Sequence, residues 1–268
     1  MPRGPDSHDD PEAFFERLDV VDAPRELVAL GGHLDVPTLV AAYRAGCFPW
    51  LASGPHAAAL EEEARHLART GDVPVLPDSD VAAPLVPWLS PEPRPVLRPD
   101  AVHIPRSLRR QLRSCGWTTT ADAAFEAVIA GCAGREGSWV TGAMAQAYSD
   151  LHRAGVAHSV EAWSGDVLVG GLYGVLVGRV FCGESKFHLV SGASKVAVVD
   201  LCHRLTAAGV VLIDTEERSD HMVQLGQGLM EREDYVALVR RLRDDRVTLP
   251  TSRAPVDRLV NRRAEQSS

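Results

Sequence analysis

Two pairs of ionisable residues stand where the sequence otherwise predicts buried strands. Glu184 and Lys186 lie at the end of an apolar run, and Asp214 and Glu216 end the strand-like segment VVLIDTE. A buried charge is costly unless it is paired or used, so these positions are candidates for acid–base chemistry or for binding a charged group. From the residues alone, Asp214 is also explained as a cap for the turn that follows a strand.

The spacing of Asp214 and Glu216 carries a further expectation. With only Thr215 between them on an extended chain, the two carboxylates lie on the same side, where like charge raises the pKa of one of them. Glu216 would then act as a base or bind a cationic acceptor. The alternative is a solvated turn, because Glu217 and Arg218 follow immediately.

A third candidate group is a run of arginines. The segment HIPRSLRRQLRSCGW predicts a helix that carries its arginines largely on one face. These are Arg106, Arg109, Arg110 and Arg113. No acidic residue stands at helical spacing within RSLRRQLR to balance them, which favours contact with phosphates over a solvated charged face.

The elements that position these residues show both helical and strand periodicity. Helices are predicted for VPTLVAAYRA, AAFEAVIAGCAG, GAMAQAYSDLHRAG, ASKVAVVDLCHRLTAAG and EDYVALVRRL, and strands for HSVEAW, VLVGGLYGVLVGRVFCG and VVLIDTE. Asp35 would cap the first of these helices, which stops at Gly46. Gly170, Gly171 and Gly174 favour a hairpin or bulge within the long apolar run. The pattern is that of a mixed α and β chain.

Composition restricts the class of protein. The formal net charge of −8 over 268 residues argues against indiscriminate nucleic-acid binding, although it does not exclude a local basic patch. The five cysteines form no CxxC pair and lie mostly in apolar settings, which predicts reduced core thiols and a cytoplasmic protein. No apolar signal region begins the chain, and no apolar run approaches the ~20 residues that span a bilayer, so neither export nor membrane insertion is expected.

Motifs that would hold a cofactor are absent from the sequence. There is no G-x-x-x-x-G-K-[ST] loop and no His/Cys ligand cluster. The turn QLGQG at 224–228 does not match the spacing of a loop that grips the phosphates of coenzyme A. No cofactor and no metal are therefore expected.

Nine short segments follow one another in a characteristic order. They are FPW at 48–50, WLSPEPRPVL at 88–97, SWV at 138–140, AYSDLHRAGVAHSVEAW at 147–163, LVGGLYG at 168–174, FCGES at 181–185, ASK at 193–195, LID at 212–214 and DHMVQLG at 220–226. In this order they resemble the leucyl/phenylalanyl-tRNA–protein transferases. The resemblance implies an α/β (α+β) fold with a small N-terminal domain and a C-terminal acetyltransferase-like (GNAT) domain. It also implies transfer of an amino acid, Leu or Phe in the family, from aminoacyl-tRNA to the N-terminal Arg or Lys of an acceptor protein, which is then sent for degradation.

The same resemblance implies roles for individual residues. Asp214 would be the catalytic aspartate, and Glu184 would pair with the α-ammonium of the donor amino acid. Trp50 and Trp139 would stack on the adenine at the tRNA 3′ end, and the four arginines would contact the acceptor stem. Apolar positions that match the donor pocket are Leu172, Phe181, Val198, Leu201, Leu205 and Ile213. From the residues alone, apolar side chains at helical spacing indicate core more often than a pocket, and both tryptophans are also explained as amphipathic core residues.

Two residues depart from the family pattern. Glu216 stands where the family usually has Gln, and it would handle the incoming amine together with Asp214. Lys186 stands where the family typically has Met, in the apolar pocket. Either the aliphatic part of Lys186 extends along the pocket so that its ammonium group reaches solvent and the pocket stays apolar, or donor specificity shifts towards a polar or acidic side chain.

The predicted organisation has four parts. A disordered tail at 1–13 precedes an N-terminal domain at 14–90, and an aminoacyl-transfer domain at 91–255 precedes a C-terminal tail at 256–268. An insertion at about 51–87 would consist of a helix, AAALEEEARHLARTG, and an exposed connector, VPVLPDSDVAAPLVP.

The expected partners are aminoacyl-tRNA and an acceptor, and the protein is expected to be a monomer. Two other functions stay open at this stage. The first is transfer to a small-molecule amine or guanidine in a biosynthetic pathway, suggested by Lys186, Glu216 and the insertion. The second is a non-catalytic module that binds tRNA or a peptide.

Overall fold

The N-terminal part of the molecule combines three helices with a small antiparallel sheet. The computed structural model describes residues 10–51, 54–77, 79–135 and 138–260. The first elements are α1 (Pro11–Arg17), β1 (Leu27–Leu30), α2 (Val36–Ala45), β2 (Phe48–Pro49), α3 (Ala57–Thr70) and β3 (Pro87–Leu89). The three strands lie in the order β1-β3-β2.

The boundaries of α2 are set by local chemistry, as the sequence predicts. The Asp35 side chain accepts a hydrogen bond from the N–H of Thr38 at the start of the helix. The helix ends at Gly46, whose φ of 88° is a left-handed conformation that glycine adopts without a Cβ clash. The helix thereby presents Tyr43, which is fully buried, to the larger sheet.

The larger sheet contains eight strands. The remaining elements are β4 (Arg94–Leu97), α4 (Arg106–Ser114), β5 (Thr118–Ala121), α5 (Phe125–Ala133), α6 (Gly142–Arg153), β6 (Ala157–Ser164), β7 (Val167–Val177), β8 (Val180–His188), α7 (Ala193–Ala207), β9 (Leu212–Asp214), α8 (Asp220–Gln224), β10 (Gly228–Met230), α9 (Arg232–Leu242) and β11 (Ala254–Pro255). The eight strands lie in the order β10-β4-β9-β8-β7-β6-β5-β11. All neighbouring strands are antiparallel except β8 and β9, which α7 connects as a crossover. The predicted mixed α/β class is confirmed.

Helices cover both faces of this sheet, and two adjacent glycines of β7 show how closely. A Cβ on Gly170 would lie 2.7 Å from the Cβ of Ala193 in α7. A Cβ on Gly171 would lie 3.0 Å from a methyl group of Val128 in α5. Because successive strand residues point to opposite faces, each glycine makes room for one helix. The bulge expected in this segment occurs between Tyr173 and Gly174, in the hairpin that β7 forms with β8.

Two features of the N-terminal part differ from the predicted organisation. Helix α1 begins at Pro11, inside the range expected to be a tail, because Asp10 accepts a hydrogen bond from the N–H of Glu12 and so caps it. The segment expected to be an exposed connector instead buries Val73, Leu76 and Leu85. Together with Ala64 and Leu67 of α3, Val73 and Leu85 form a small core around Leu30. The helix predicted before the connector is confirmed as α3.

The predicted C-terminal tail is also partly folded. Residues 256–260 form a 3-10 helix that buries Val256 and Leu259, and Arg258 pairs with the buried Asp200 of α7. Residues 1–9 and 261–268, the outer parts of the two predicted tails, lie outside the described residues.

The cysteines lie mostly in the core, as predicted. Cys47, Cys132, Cys182 and Cys202 are buried thiols, and Cys115 is half-buried. Burial raises the pKa of Cys47 to about 12. No helix in the described ranges is both long enough and apolar enough to cross a membrane.

Candidate active site

A buried ion pair lies at the bottom of the site. Arg94, the first residue of β4, donates to Oδ2 of Asp214 from Nε at 2.9 Å and from Nη2 at 2.5 Å. Tyr235 of α9 donates to the same oxygen at 2.8 Å. The two ionic side chains are 1% and 0% exposed. Asp214 therefore lies beneath the site and does not form part of the wall of the cavity above it.

Glu216 connects this buried ion pair to the cavity. Its N–H donates to Oδ1 of Asp214 at 3.0 Å, and its φ of 59° is left-handed. The expectation that Asp214 and Glu216 continue one extended chain is therefore wrong, because β9 ends at Asp214 and the chain turns sharply. The solvated-turn alternative is wrong as well, because Glu216 is 6% exposed and lines the cavity.

Glu184 of β8 faces Glu216 and is held by two tyrosines. Tyr43 donates to its Oε1 at 2.5 Å, and Tyr148 of α6 donates to its Oε2 at 2.6 Å. Burial raises the pKa of Glu184 to about 7, although the tyrosine hydrogen bonds act in the opposite direction. Burial, together with the charges of Glu184 and Asp214, raises the pKa of Glu216 well above its usual value. The Glu184–Glu216 pair therefore retains a proton near neutral pH.

The central cavity above these carboxylates has a volume of about 430 Å³. Four of the six apolar residues predicted for the donor pocket form part of its wall: Leu172, Val198, Leu201 and Ile213. The other two, Phe181 and Leu205, are fully buried in the core and do not reach the cavity. Met222 of α8 completes the apolar wall and was not predicted.

Lys186 also lines the central cavity, as a half-buried cation. Burial and the nearby charge of Arg135 lower its pKa, whereas Glu217 acts in the opposite direction. Arg135, another lining residue, lies 3.3 Å through Nη2 from the hydroxyl of Ser185. One cavity thus combines an apolar wall, two cations and the carboxyl pair.

Two tryptophans form one side of this cavity. The rings of Trp50 and Trp139 are stacked, with centroids 6.1 Å apart and planes 16° from parallel. Both line the cavity and are only partly buried, so they present aromatic surface to a ligand.

Comparison with known proteins places these residues in a family. The family model described as leucyl/phenylalanyl-tRNA protein transferase matches residues 96–240, and the model of the N-terminal domain of the same transferase matches residues 32–56. The chain belongs to this family.

Named relatives share much of the sequence. A leucyl/phenylalanyl-tRNA–protein transferase of Xylella fastidiosa is 41% identical over 82% of this chain and 80% of its own length. One of Anaeromyxobacter is 42% identical over 81% of this chain and 83% of its own. One of Xanthomonas campestris is 41% identical over 80% and 76%.

Similarity to solved structures is weaker. A GCN5-related N-acetyltransferase from Kribbella flavida is 13% identical, covers 53% of this chain and 55% of its own, and has a TM-score of 0.34. A conserved protein of unknown function from Bacteroides thetaiotaomicron is 11% identical, covers 59% and 57%, and has a TM-score of 0.39. Likeness at this level supports no argument about the site.

The arginines that match the basic cluster of the transferase family lie apart from the central cavity. Arg106, Arg109, Arg110 and Arg113 are exposed on α4, whose opposite face buries Leu108 and Leu112. None of the four forms a salt bridge to any described residue. The predicted one-sided basic helix is confirmed, and its role in tRNA binding stays a prediction.

Four residues that hold the buried carboxylates were not predicted individually: Tyr43, Arg94, Tyr148 and Tyr235. Arg94 and Tyr148 fall within segments that carry the resemblance to the transferase family, WLSPEPRPVL and AYSDLHRAGVAHSVEAW. Tyr43 and Tyr235 lie on the apolar faces of their helices. At such positions the sequence does not distinguish a tyrosine whose hydroxyl binds a carboxylate from a tyrosine that only packs in the core. Their hydroxyl contacts depend on long-range packing that periodicity does not reveal.

Proposed function

We propose that this protein transfers an amino acid from aminoacyl-tRNA to the N-terminal Arg or Lys of an acceptor protein. Membership of the transferase family supports the reaction class. The single structural observation that carries the proposal is the buried Glu184–Glu216 pair in the wall of a cavity flanked by stacked tryptophans.

The donor would enter as the aminoacyl ester of the terminal adenosine. Trp50 and Trp139 would stack on the adenine, because an aromatic face binds an unpaired base. The carboxylate of Glu184 would bind the α-ammonium of the donor. The donor side chain would lie against Leu172, Val198, Leu201 and Ile213, with Lys186 at the same wall.

The reaction itself is aminolysis of an activated ester and needs no further energy source. The acceptor nitrogen forms a bond to the ester carbonyl carbon, and the bond from that carbon to the ribose oxygen breaks. Glu216 would accept the proton that the attacking amine loses and would return a proton to the ribose oxygen as that oxygen leaves. Burial and the neighbouring carboxylates raise the pKa of Glu216, and a carboxylate with a raised pKa is a stronger base for this step.

Asp214 would be a positioning residue in this scheme. Its Oδ1 holds the N–H of Glu216 and its Oδ2 is occupied by Arg94 and Tyr235, so it has no contact with the cavity. The exposed arginines of α4 would hold the tRNA acceptor stem through phosphate contacts.

Mass spectrometry of an acceptor peptide tests the proposal. The protein is incubated with total aminoacyl-tRNA and a peptide that starts with Arg, and an otherwise identical peptide that starts with Ala is the control. The expected product carries one extra residue on the α-amine of the Arg peptide. Absence of any product from the Arg peptide would contradict the proposal, and transfer to a metabolite in a cell extract would instead support the small-molecule alternative.

A further inference from the structure

The cation Lys186 stands beside the apolar wall of the central cavity. In the hairpin of β7 and β8 it is paired with Leu172, one of the apolar residues of that wall. Glu184 lies two residues earlier in β8, so the two side chains project from the same face of the sheet, about 6.7 Å apart along the strand. A donor held through its α-ammonium at Glu184 therefore has both an apolar surface and a cation close to its side chain.

A second cation lies near Lys186. Arg135 also lines the central cavity, and burial together with the charge of Arg135 lowers the pKa of Lys186. The Nη2 atom of Arg135 lies 3.3 Å from the hydroxyl of Ser185, and its Nε lies 3.5 Å from the carbonyl oxygen of Cys132. Two like charges in a partly enclosed space repel each other, so an anion between them would stabilise both.

These two cations have no anionic partner among the residues that the structure describes. Neither Lys186 nor Arg135 forms a salt bridge within those ranges. The charge of Glu217 raises the pKa of Lys186, but Glu217 is exposed and forms no salt bridge with it. Burial raises the pKa of the Cys132 thiol to about 11, and burial and the charge of Lys186 lower the pKa of His221 to about 4, so both stay neutral. The positive charge here is left for a ligand to balance.

The carboxyl pair does not balance this charge either. Both oxygens of Glu184 accept hydrogen bonds from tyrosines, and the Glu184–Glu216 pair retains a proton near neutral pH. The central cavity thus has two polar regions of opposite character beside one apolar wall. One is the acidic region at Glu184, and the other is the basic region formed by Lys186 and Arg135.

A ligand that matches this pattern carries an ammonium group, a short aliphatic chain and a carboxylate. A glutamyl ester has these groups in this order, because its α-carboxyl is esterified and two methylenes precede its free carboxylate. Leucine and phenylalanine lack the anion, and they would remove water from the two cations without replacing it. Aspartate has the anion but one methylene fewer, so it spans less of the distance between the two polar regions.

We propose that the central cavity accepts a donor amino acid whose side chain carries a carboxylate, glutamate before aspartate. Lys186 and Arg135 bind that carboxylate, Glu184 binds the α-ammonium, and the methylenes lie against the apolar wall at Leu172. This inference rests on the proposed function and names the class of donor that the cavity selects.

Inert donor analogues test the charge of the donor side chain separately from its size. In each analogue an amide replaces the ester to the terminal adenosine, and the side chain is that of glutamate or of its isosteric amide, glutamine. By calorimetry, wild-type protein should bind the glutamyl analogue about ten-fold more tightly, the scale of a charge-assisted hydrogen bond. Lys186→Met and Arg135→Gln should each reduce this ratio to roughly two- or three-fold, whereas Lys186→Arg, which keeps the charge, should preserve it. Lys195→Met removes a cation of α7 outside the cavity wall and is the matched control.

The ratio of glutamyl to glutaminyl binding distinguishes this inference from the proposed function. If the ratio is high in the wild type and falls in Lys186→Met, but no charged tRNA yields a product, the donor class stands and only the proposed function is overturned. If a peptide product forms but the wild type binds both analogues equally, the proposed function stands and this inference is overturned. It is equally overturned if Lys186→Met leaves the ratio unchanged, or lowers it no more than Lys195→Met does.

Discussion

The N–H of Glu216 donates to Oδ1 of Asp214 at 3.0 Å, while Oδ2 of the same aspartate is bound by Arg94 and Tyr235. One fully buried carboxylate thus fixes a sharp turn of the backbone and aims a second carboxylate at the central cavity. The left-handed φ of 59° at Glu216 is uncommon for a residue with a Cβ, and the hydrogen bond to Asp214 stabilises it.

The first prediction concerns this ion pair. Asp214→Ala leaves the guanidinium of Arg94 buried without its partner, so the free energy of unfolding should fall by about 3–5 kcal/mol. Replacing both partners, as Arg94→Met with Asp214→Leu, should restore most of that stability, because two apolar side chains need no pairing. Chemical denaturation measures both variants.

Transfer activity should not return with stability. The double variant still lacks the acceptor that holds the N–H of Glu216, so its transfer rate should stay low. A double variant that is stable and fully active would contradict the positioning role of Asp214.

The second prediction concerns stability and pH. The folded-state pKa of Glu184 is raised from its usual 4.5 to about 7, and burial raises the pKa of Glu216 as well. Above pH 4.5 the unfolded chain releases protons that the folded chain keeps, so the free energy of unfolding should fall as the pH rises towards 7, by roughly 1 kcal/mol per pH unit for each proton kept. Glu216→Gln should therefore raise the melting temperature more at pH 8 than at pH 5. The exposed control Glu63→Gln should show no such difference. If Glu216→Gln shifted the melting temperature equally at both pH values, the raised pKa of the buried pair would be refuted.

The third prediction concerns donor selectivity. Lys186 adds a cation to the apolar wall. An apolar donor side chain bound there would remove water from the ammonium group, which is costly. Lys186→Met should raise kcat/KM for phenylalanyl-tRNA by roughly ten-fold relative to glutaminyl-tRNA, equivalent to about 1.4 kcal/mol. Lys195→Met, at the start of α7 and outside the cavity wall, is the matched control. An unchanged ratio in Lys186→Met would mean that the ammonium points away from the donor.

The fourth prediction concerns salt. If the arginines of α4 contact phosphates, the logarithm of the tRNA affinity should fall steeply with the logarithm of salt concentration. Replacing Arg109 and Arg110 by Ala should reduce that slope by about 1.4–1.8, at roughly 0.7–0.9 per phosphate contact. Arg240 and Arg241, exposed in the last turn of α9, provide a control with the same loss of charge. A wild-type protein whose affinity does not depend on salt would rule out phosphate contacts altogether.

The sequence predicted the elements that carry strong periodicity and missed the contacts that depend on packing. The extent of α2 followed from Asp35 and Gly46, which act within a few residues of the chain. The insertion was predicted to end in an exposed connector because proline and aspartate are typical of loops. Val73 and Leu85 of this segment are nevertheless buried, because they pack with Leu30 of a strand distant in the sequence.

The site shows the same division between local and long-range information. Glu184, Lys186 and Glu216 were identified because charge is unusual near a buried strand, and all three line the cavity. Phe181 and Leu205 were expected in the pocket but lie in the core. The prediction was wrong because an apolar residue in the sequence does not indicate whether its side chain faces a cavity or other side chains. The pairing of Arg94 with Asp214, 120 positions apart, has no sequence signal of its own.

The most direct test of the central claim is the pH dependence of a single turnover of peptide formation, measured with wild-type protein and with Glu216→Gln. The wild-type rate should rise with pH as the Glu184–Glu216 pair loses its proton, because the deprotonated carboxylate can then accept the proton that the amine loses. The variant should be slower by about a hundred-fold, the scale of general base catalysis, with a flat profile. A variant that keeps both the wild-type rate and the wild-type pH dependence would contradict proton transfer to Glu216.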